Sequence, residues 1–230
     1  MTSPTIIARP ASCDRSTAVT RSLLGYGVLA GPAYVLVSVA QALTREGFDL
    51  TRHPWSLLAN GPLGWIQIAN FLLTGVMTVA FAAGLRRALR AGPGATWAPR
   101  LIGAYGLSLV AAGVFRADPA AGFPVGTPTG AVRISWHGGL HLLAGAIGFG
   151  CLVAACLLLG RRFGAEGRRS WAAFSRVTGV LFLAAFVGIA AGAGSAATVL
   201  PFVAAVVLVS AWMSATAAHL YNHTVPPAGY

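Results

Sequence analysis

Apolar runs alternate with short polar segments along most of this chain. Most runs are close to the roughly 20 residues that a helix needs to cross a hydrocarbon core of about 30 Å. A helix also satisfies its own backbone hydrogen bonds inside lipid. The pattern therefore predicts an all-α polytopic membrane protein, a six-helix transmembrane bundle. The predicted spans are approximately 22–42, 64–85, 101–115, 136–160, 177–192 and 199–220.

The polar ends and breaks complete this domain organisation. We predict a cytoplasmic N-terminal tail over 1–20, a six-span domain over 21–220 and a cytoplasmic C-terminal tail over 221–230. The Gly- and Pro-rich stretch 57–64 reads as a short interfacial or re-entrant piece rather than a regular helix. Residues 101–115 form the shortest of the six runs.

The arginines assign the two sides of the membrane. Twelve of the 16 lie in the N-terminal tail and in the linkers 86–100 and 161–176, and four lie in the intervening loops. Cytoplasmic loops carry an excess of arginine and lysine, so both termini are predicted to be cytoplasmic, in a bacterial cytoplasmic membrane. The polar loops after the first and third spans are then extracytoplasmic.

Composition agrees with this assignment. The chain is 56% hydrophobic and 9% charged, with a mean hydropathy of +0.72. Its net charge of +11 suggests a nucleic-acid partner at first sight. The basic residues instead cluster at the ends of apolar runs, without an aromatic–basic stripe, so nucleic acid is excluded and the bilayer is the expected partner.

The first polar loop concentrates candidate binding residues. Arginines with backbone donors at a membrane interface suit an anionic headgroup or a phosphate. Ser56 near His53 could form a nucleophile and base, but no Gly-x-Ser-x-Gly elbow is present and Ser56 could equally cap the next element. The predicted substrate-binding residues are Arg45, Asp49, Arg52, His53, Ser56 and Arg116.

Asp118 and His141 are the candidate catalytic pair. Asp118 lies at the mouth of the third span, where a carboxylate is costly unless it is paired. An ion pair with Arg116, Arg45 or Arg52 is the structural alternative to a role as general base or ligand.

A metal site is the weaker alternative. His137 and His141 are spaced i, i+4 and share a helix face, which suits two ligands of a tetrahedral metal, with Asp118 or His53 as a third donor. The opposing interpretation places His137 at the interface and lets His141 form a hydrogen bond inside the bundle. No motif identifies a cofactor, and Gln67 and Asn70 are expected to join helices by hydrogen bonds.

Several spaced motifs resemble a known family. They include Leu29-Ala-Gly-Pro32, Arg45-x-Gly-Phe-Asp49, His53-Pro-x-Ser56, Gly61-x-x-Gly-Trp65 and Phe115-x-x-Asp118-Pro. Together with His141 they are similar to the bacterial membrane family catalogued as domain of unknown function 998. The resemblance implies an integral membrane protein with about six helices and no established activity. It maps characteristic polar positions to Arg45, Asp49, His53, Ser56, Asp118 and His141.

Three functions are compatible with the sequence. The leading hypothesis is a lipid- or isoprenoid-handling protein, in which Arg45 and Arg52 hold an anionic headgroup while Asp118 and His141 perform any acid–base chemistry. The second is a metal-dependent membrane hydrolase with a metal-bound water as nucleophile. The third is a non-enzymatic subunit or sensor whose polar cluster is structural or responds to pH.

Overall fold

The computed structural model describes residues 12–130, 133–192 and 195–224, and within these ranges it is helical. A short 3-10 helix, Trp55–Ala59, lies between the first two long helices. The six long helices are α1 (Ser12–Thr44), α2 (Gly64–Ala88), α3 (Trp97–Val114), α4 (Trp136–Ala165), α5 (Arg169–Ala191) and α6 (Ala196–His223).

Each long helix packs antiparallel to its neighbour in the chain, and α6 returns to pack against α1. The glycines show how closely α1 and α6 approach. A methyl group added at Gly27 would lie 2.9 Å from the side chain of Ala217, and one at Gly31 would lie 2.7 Å from the Ser210 carbonyl. Contacts this short exclude any larger side chain, so small residues set the spacing of this pair.

Five of the six helices are long and apolar enough to cross a membrane, so the protein is a multi-pass membrane protein. The exception is α3, whose 18 residues begin with Trp97 and include Pro99 and Arg100. At about 1.5 Å per residue, α3 nevertheless extends roughly 27 Å. It packs between α2 and α4 as a full member of the bundle. The predicted all-α six-helix bundle is therefore confirmed.

The helices extend beyond the apolar runs at the arginine-rich end of the bundle. α1 begins at Ser12 rather than near residue 22, and α5 begins at Arg169 rather than near residue 177. Arginine has a long apolar stem and a good helix propensity, so it continues a helix through the interface while its guanidinium reaches water. Hydropathy therefore marks the apolar core of each helix and not its ends.

A buried polar seam joins α1 to α2. Gln67 is fully buried, and its Oε1 accepts a 2.7 Å hydrogen bond from Gln41 Nε2. Asn70 Nδ2 donates to the Tyr34 carbonyl at 3.1 Å and to Ser38 Oγ at 3.2 Å. The predicted interhelical role of Gln67 and Asn70 is confirmed by these bonds.

Candidate functional site

The loops at the end of the bundle opposite the arginine-rich end form a folded layer over the helices. We call this layer the loop cap; it comprises residues 45–63, 115–130 and 133–135. A small apolar core that includes Trp55, Leu58 and Phe123 holds the cap together. The cap brings together the two polar loops and the start of α4, as the sequence predicted.

Arg45 is held inside the cap by backbone carbonyls. Its Nη1 donates to the Leu58 carbonyl at 3.1 Å and its Nη2 donates to the Asn60 carbonyl at 2.6 Å. The guanidinium also lies 5.3 Å from the centre of the Phe123 ring. Burial lowers the pKa of the Arg45 guanidinium below its ordinary value. Arg45 thus supplies hydrogen-bond donors to the carbonyls at the end of the 3-10 helix. These two guanidinium nitrogens are therefore not directed at a ligand.

Asp49 and His53 close the turn between α1 and the 3-10 helix. His53 is buried, and its Nδ1 accepts a 2.9 Å hydrogen bond from the Asp49 backbone N–H. Because Nδ1 is an acceptor, Nε2 carries the proton and donates to the Ala121 carbonyl at 3.0 Å. Asp49 Oδ1 accepts two hydrogen bonds from Thr51, and these hold the pKa of the Asp49 carboxyl below its usual range.

Asn60 is a cap residue that the sequence analysis missed. Its Nδ2 donates to the Leu57 carbonyl at 3.2 Å and to the Ala117 carbonyl at 3.1 Å, which joins the two loops. The following Gly61 has a φ of +74° and turns the chain tightly against Pro124. The Asn-Gly-Pro sequence was the available signal, since these residues mark turns, but a turn motif does not say where the amide points.

Asp118 caps the start of α4. Its Oδ2 accepts a 2.8 Å hydrogen bond from the Ser135 backbone N–H, and its Oδ1 accepts a 2.5 Å hydrogen bond from the Ser135 hydroxyl. Ser135 is itself the N-cap and accepts a hydrogen bond from the Gly138 N–H. A carboxylate is favoured at a helix N-terminus. Among the described residues Asp118 forms no ion pair, so the expected pairing with Arg116, Arg45 or Arg52 is not seen.

His141 performs the matching task at the C-terminal end of α3. It is buried, and its Nδ1 lies 2.9 Å from the Phe115 carbonyl and 3.2 Å from the Ala112 carbonyl. Nδ1–H therefore donates to carbonyls that lack partners within α3. The bundle hydrogen bond expected for His141 in the structural interpretation is present.

The remaining predicted residues are less constrained. His137 is exposed and its ring lies 3.6 Å from that of Trp136, while Ser56 is half-buried inside the 3-10 helix, whose N-cap is Pro54. Arg52 and Arg116 are exposed. Within the part of the chain that the structure describes, no three His, Cys, Asp or Glu side chains are arranged to hold a metal ion.

An open depression of about 380 Å³ lies where the two loops meet the start of α4. Arg116, His137 and Asn60 are the residues with side-chain nitrogens in its lining, and Asp118 is the residue with a carboxylate. In the described chain, Arg116 has no carboxylate partner. The depression is lined by Asn60, Gly61, Arg116, Ala117, Asp118, Pro119, Ser135 and His137.

A family model described as "Protein of unknown function (DUF998)" matches residues 28–219, which is most of the chain. The chain belongs to the DUF998 family. The match includes α2 to α5, the whole loop cap, about half of α1 and most of α6 of this DUF998 protein. No curated protein and no solved structure matches it. The resemblance noted from the spaced motifs is thereby confirmed.

The cap geometry separates the polar positions of the DUF998 protein into two groups. Arg45, His53, Asp118 and His141 are used to hold backbone atoms of the loops and helix ends. Arg116 and His137 are exposed in the open depression. The first group builds the cap, and the second is exposed at its surface.

Proposed function

We propose that this DUF998 protein binds a phosphate-bearing lipid headgroup, of a phospholipid or an isoprenoid, in the depression of its loop cap. Arg116 and His137 would donate to the phosphate, and Asp118 would order the wall behind it. The observation that carries the proposal is the exposed guanidinium of Arg116, which faces an open depression without a carboxylate partner among the described residues.

The site differs from the one that the sequence suggested. Arg45 is committed to the Leu58 and Asn60 carbonyls, so it adds positive potential without direct contact. Arg52 is exposed and does not line the depression. Arginine is well suited to phosphate because its planar guanidinium can form two parallel hydrogen bonds. The headgroup proposal therefore rests on Arg116.

The proposal is for binding and not for catalysis. The Asp118 oxygens each already accept a hydrogen bond from Ser135, and His141 Nδ1 donates to the end of α3. These bonds support positioning roles for both residues. The proposal uses both residues for positioning, so it describes a non-enzymatic binding subunit and not a hydrolase.

The arginine distribution supports the location of this site. We propose that the protein lies in the cytoplasmic membrane of a bacterium, with both termini in the cytoplasm, because twelve of the 16 arginines are in segments on one side. The depression would then face the extracytoplasmic leaflet. An exposed depression at the end of a helix bundle lies at the depth of lipid headgroups.

The test is native mass spectrometry of the protein purified in mild detergents, with identification of any retained lipid. Arg116→Gln should lower the occupancy of a bound phospholipid or isoprenoid phosphate by about tenfold, since charged hydrogen bonds to phosphate are among the stronger ones. Arg133→Gln is the matched control, because Arg133 is exposed in the same loop but does not line the depression.

Equal lipid occupancy in both variants and in the unmodified protein would refute the assignment to the depression. Absence of any stoichiometric lipid in several mild detergents would count against headgroup binding altogether. Loss of lipid in Arg116→Gln alone would establish the site.

A further inference from the structure

A second pocket, of about 160 Å³, lies at the arginine-rich end of the bundle, far from the loop cap. The ends of α2, α4 and α6 and the short connection between α4 and α5 form its walls. Its apolar side consists of Leu89, Leu159, Phe163 and Leu220. Its polar side consists of Arg162, Glu166, Arg168, His219 and His223.

The charges of this pocket are not balanced. Glu166 supplies the one carboxylate among the lining residues. Its Oε1 lies 2.8 Å from Arg162 Nε, and its Oε2 lies 3.8 Å from Arg168 Nε. One carboxylate therefore faces two guanidinium groups, and a positive charge, reduced by the negative C-terminal ends of α2, α4 and α6, remains in a partly enclosed space. Such a space concentrates the field and attracts anions.

The hydrogen bonds leave donors available. Arg168 Nη1 donates to His219 Nε2, so this histidine is neutral and accepts from the guanidinium. His223 Nδ1–H donates to the His219 carbonyl at 2.6 Å, so its Nε2 is an acceptor and does not donate to an anion. The His219 and His223 rings lie 4.2 Å apart, so they form one wall. Arg162 donates from Nη1 to the Ala91 carbonyl at 2.7 Å and from Nε to Glu166, so among the described residues the guanidinium nitrogens left for a ligand are its Nη2 and the Nη2 of Arg168.

We propose that this pocket binds a phosphate group, carried either by a lipid headgroup or by a soluble phosphate compound. The two guanidinium groups would bind the phosphate oxygens, with Glu166 holding both arginines in place and limiting the affinity. Each guanidinium would supply its Nη2 to a different phosphate oxygen, in a charge-assisted hydrogen bond. The apolar wall would accept the chain-side part of a lipid or the organic part of a soluble ester.

Three matched variants test the proposal with inorganic phosphate as the probe, measured by isothermal titration calorimetry in detergent at constant ionic strength. Arg168→Gln should weaken phosphate binding by about tenfold. Glu166→Gln should strengthen it by about tenfold, because it removes the competing carboxylate. Arg169→Gln should leave it unchanged, since Arg169 is the exposed neighbour that does not line the pocket.

The same variants in lipid nanodiscs distinguish the two sources of phosphate. The measurement is the rise in unfolding temperature in phosphatidic acid relative to phosphatidylcholine. If this rise is largest for Glu166→Gln and smallest for Arg168→Gln, while inorganic phosphate does not bind, the ligand is a lipid. If inorganic phosphate follows this order, the pocket takes a soluble phosphate. Identical behaviour of the unmodified protein and all variants in both experiments would overturn the proposal.

Phosphate affinity is expected to rise in Glu166→Gln and to fall in Arg168→Gln, and a folding defect would not raise it. Should Arg168→Gln fail to fold, Glu166→Gln compared with Arg169→Gln still decides, because only a phosphate in the pocket predicts tighter binding for the first. The outcome is independent of the loop cap, where none of these residues lies.

Discussion

The contact between Asp118 and the first turn of α4 leaves no space for a side chain at Gly138. A methyl group there would lie 2.6 Å from Asp118 Cγ and even closer to its Oδ2. The next residue, Gly139, has open space, since its methyl group would lie 3.9 Å from Ile134. Gly138→Ala and Gly139→Ala are therefore chemically identical changes, one helix position apart, that differ in whether they displace Asp118.

The expected cost of Gly138→Ala follows from the hydrogen bonds that Asp118 would lose. Displacing its carboxylate breaks the bonds from the Ser135 N–H at 2.8 Å and the Ser135 hydroxyl at 2.5 Å. At a partly exposed site we take the lower end of the range for charged hydrogen bonds, about 1.5 kcal/mol each. Alanine returns up to about 1 kcal/mol of helix propensity. The net loss is about 2 kcal/mol.

The assay is equilibrium unfolding in mixed micelles with increasing sodium dodecyl sulfate, followed by tryptophan fluorescence. Gly139→Ala should be neutral or more stable by up to about 1 kcal/mol. In an Asp118→Ala background, Gly138→Ala should lose its cost, because the group that it displaces is absent. Equal stability of Gly138→Ala and Gly139→Ala, or an unchanged cost in the Asp118→Ala background, would refute the capping role.

Three further changes test other parts of the structure. His53→Ala should lower the free energy of unfolding by about 2–3 kcal/mol, because it leaves the Asp49 N–H and the Ala121 carbonyl without partners. Arg52→Ala, at an exposed position, should change it by no more than about 0.5 kcal/mol. Similar unfolding midpoints for the two variants would contradict this. The pKa of Asp49 is lower in the folded protein, so its ionised carboxylate stabilises the fold fully above the unfolded pKa of about 4, and this stabilisation is lost as pH falls through the folded pKa. Asp49→Asn should therefore make the melting temperature fall less steeply with decreasing pH in this range. The same dependence of melting temperature on pH in both proteins would argue against it. Gln67→Leu should cost about 1–2 kcal/mol in the micelle assay, since Gln41 Nε2 loses its 2.7 Å bond, and a more stable variant would show that the α1–α2 seam is dispensable.

The helices were predictable because lipid imposes a strong and local requirement. Runs of about 20 apolar residues have few alternatives to a spanning helix, so α2 was predicted to begin at residue 64, where it does. The one long helix that is not apolar enough over its length to be a candidate span, α3, was also the shortest predicted span. Helix ends were missed where arginine continues the helix through the interface, as at Arg169.

The roles of the polar residues were not predictable in the same way. The sequence places Arg45 and His141 near a common site, but their partners are backbone carbonyls of Leu58, Asn60, Ala112 and Phe115. Which carbonyl lies within reach depends on the register of one helix against the next, and residue types do not reveal it. Every residue carries a backbone carbonyl, and the sequence does not show which of them lacks a hydrogen-bond partner. An arginine that caps a helix end therefore cannot be distinguished by sequence from one that binds a ligand.

The seam between α1 and α6 has a consequence for how the protein is made. A ribosome delivers α1 to the membrane first and α6 after four intervening helices. The face of α1 around Gly31 therefore stays uncovered until Ser210 and Ser214 of α6 arrive. During that interval α1 is open to other helices with small residues or to a membrane chaperone. A stop codon just before α6 would leave this face permanently exposed and mark the shortened chain for degradation.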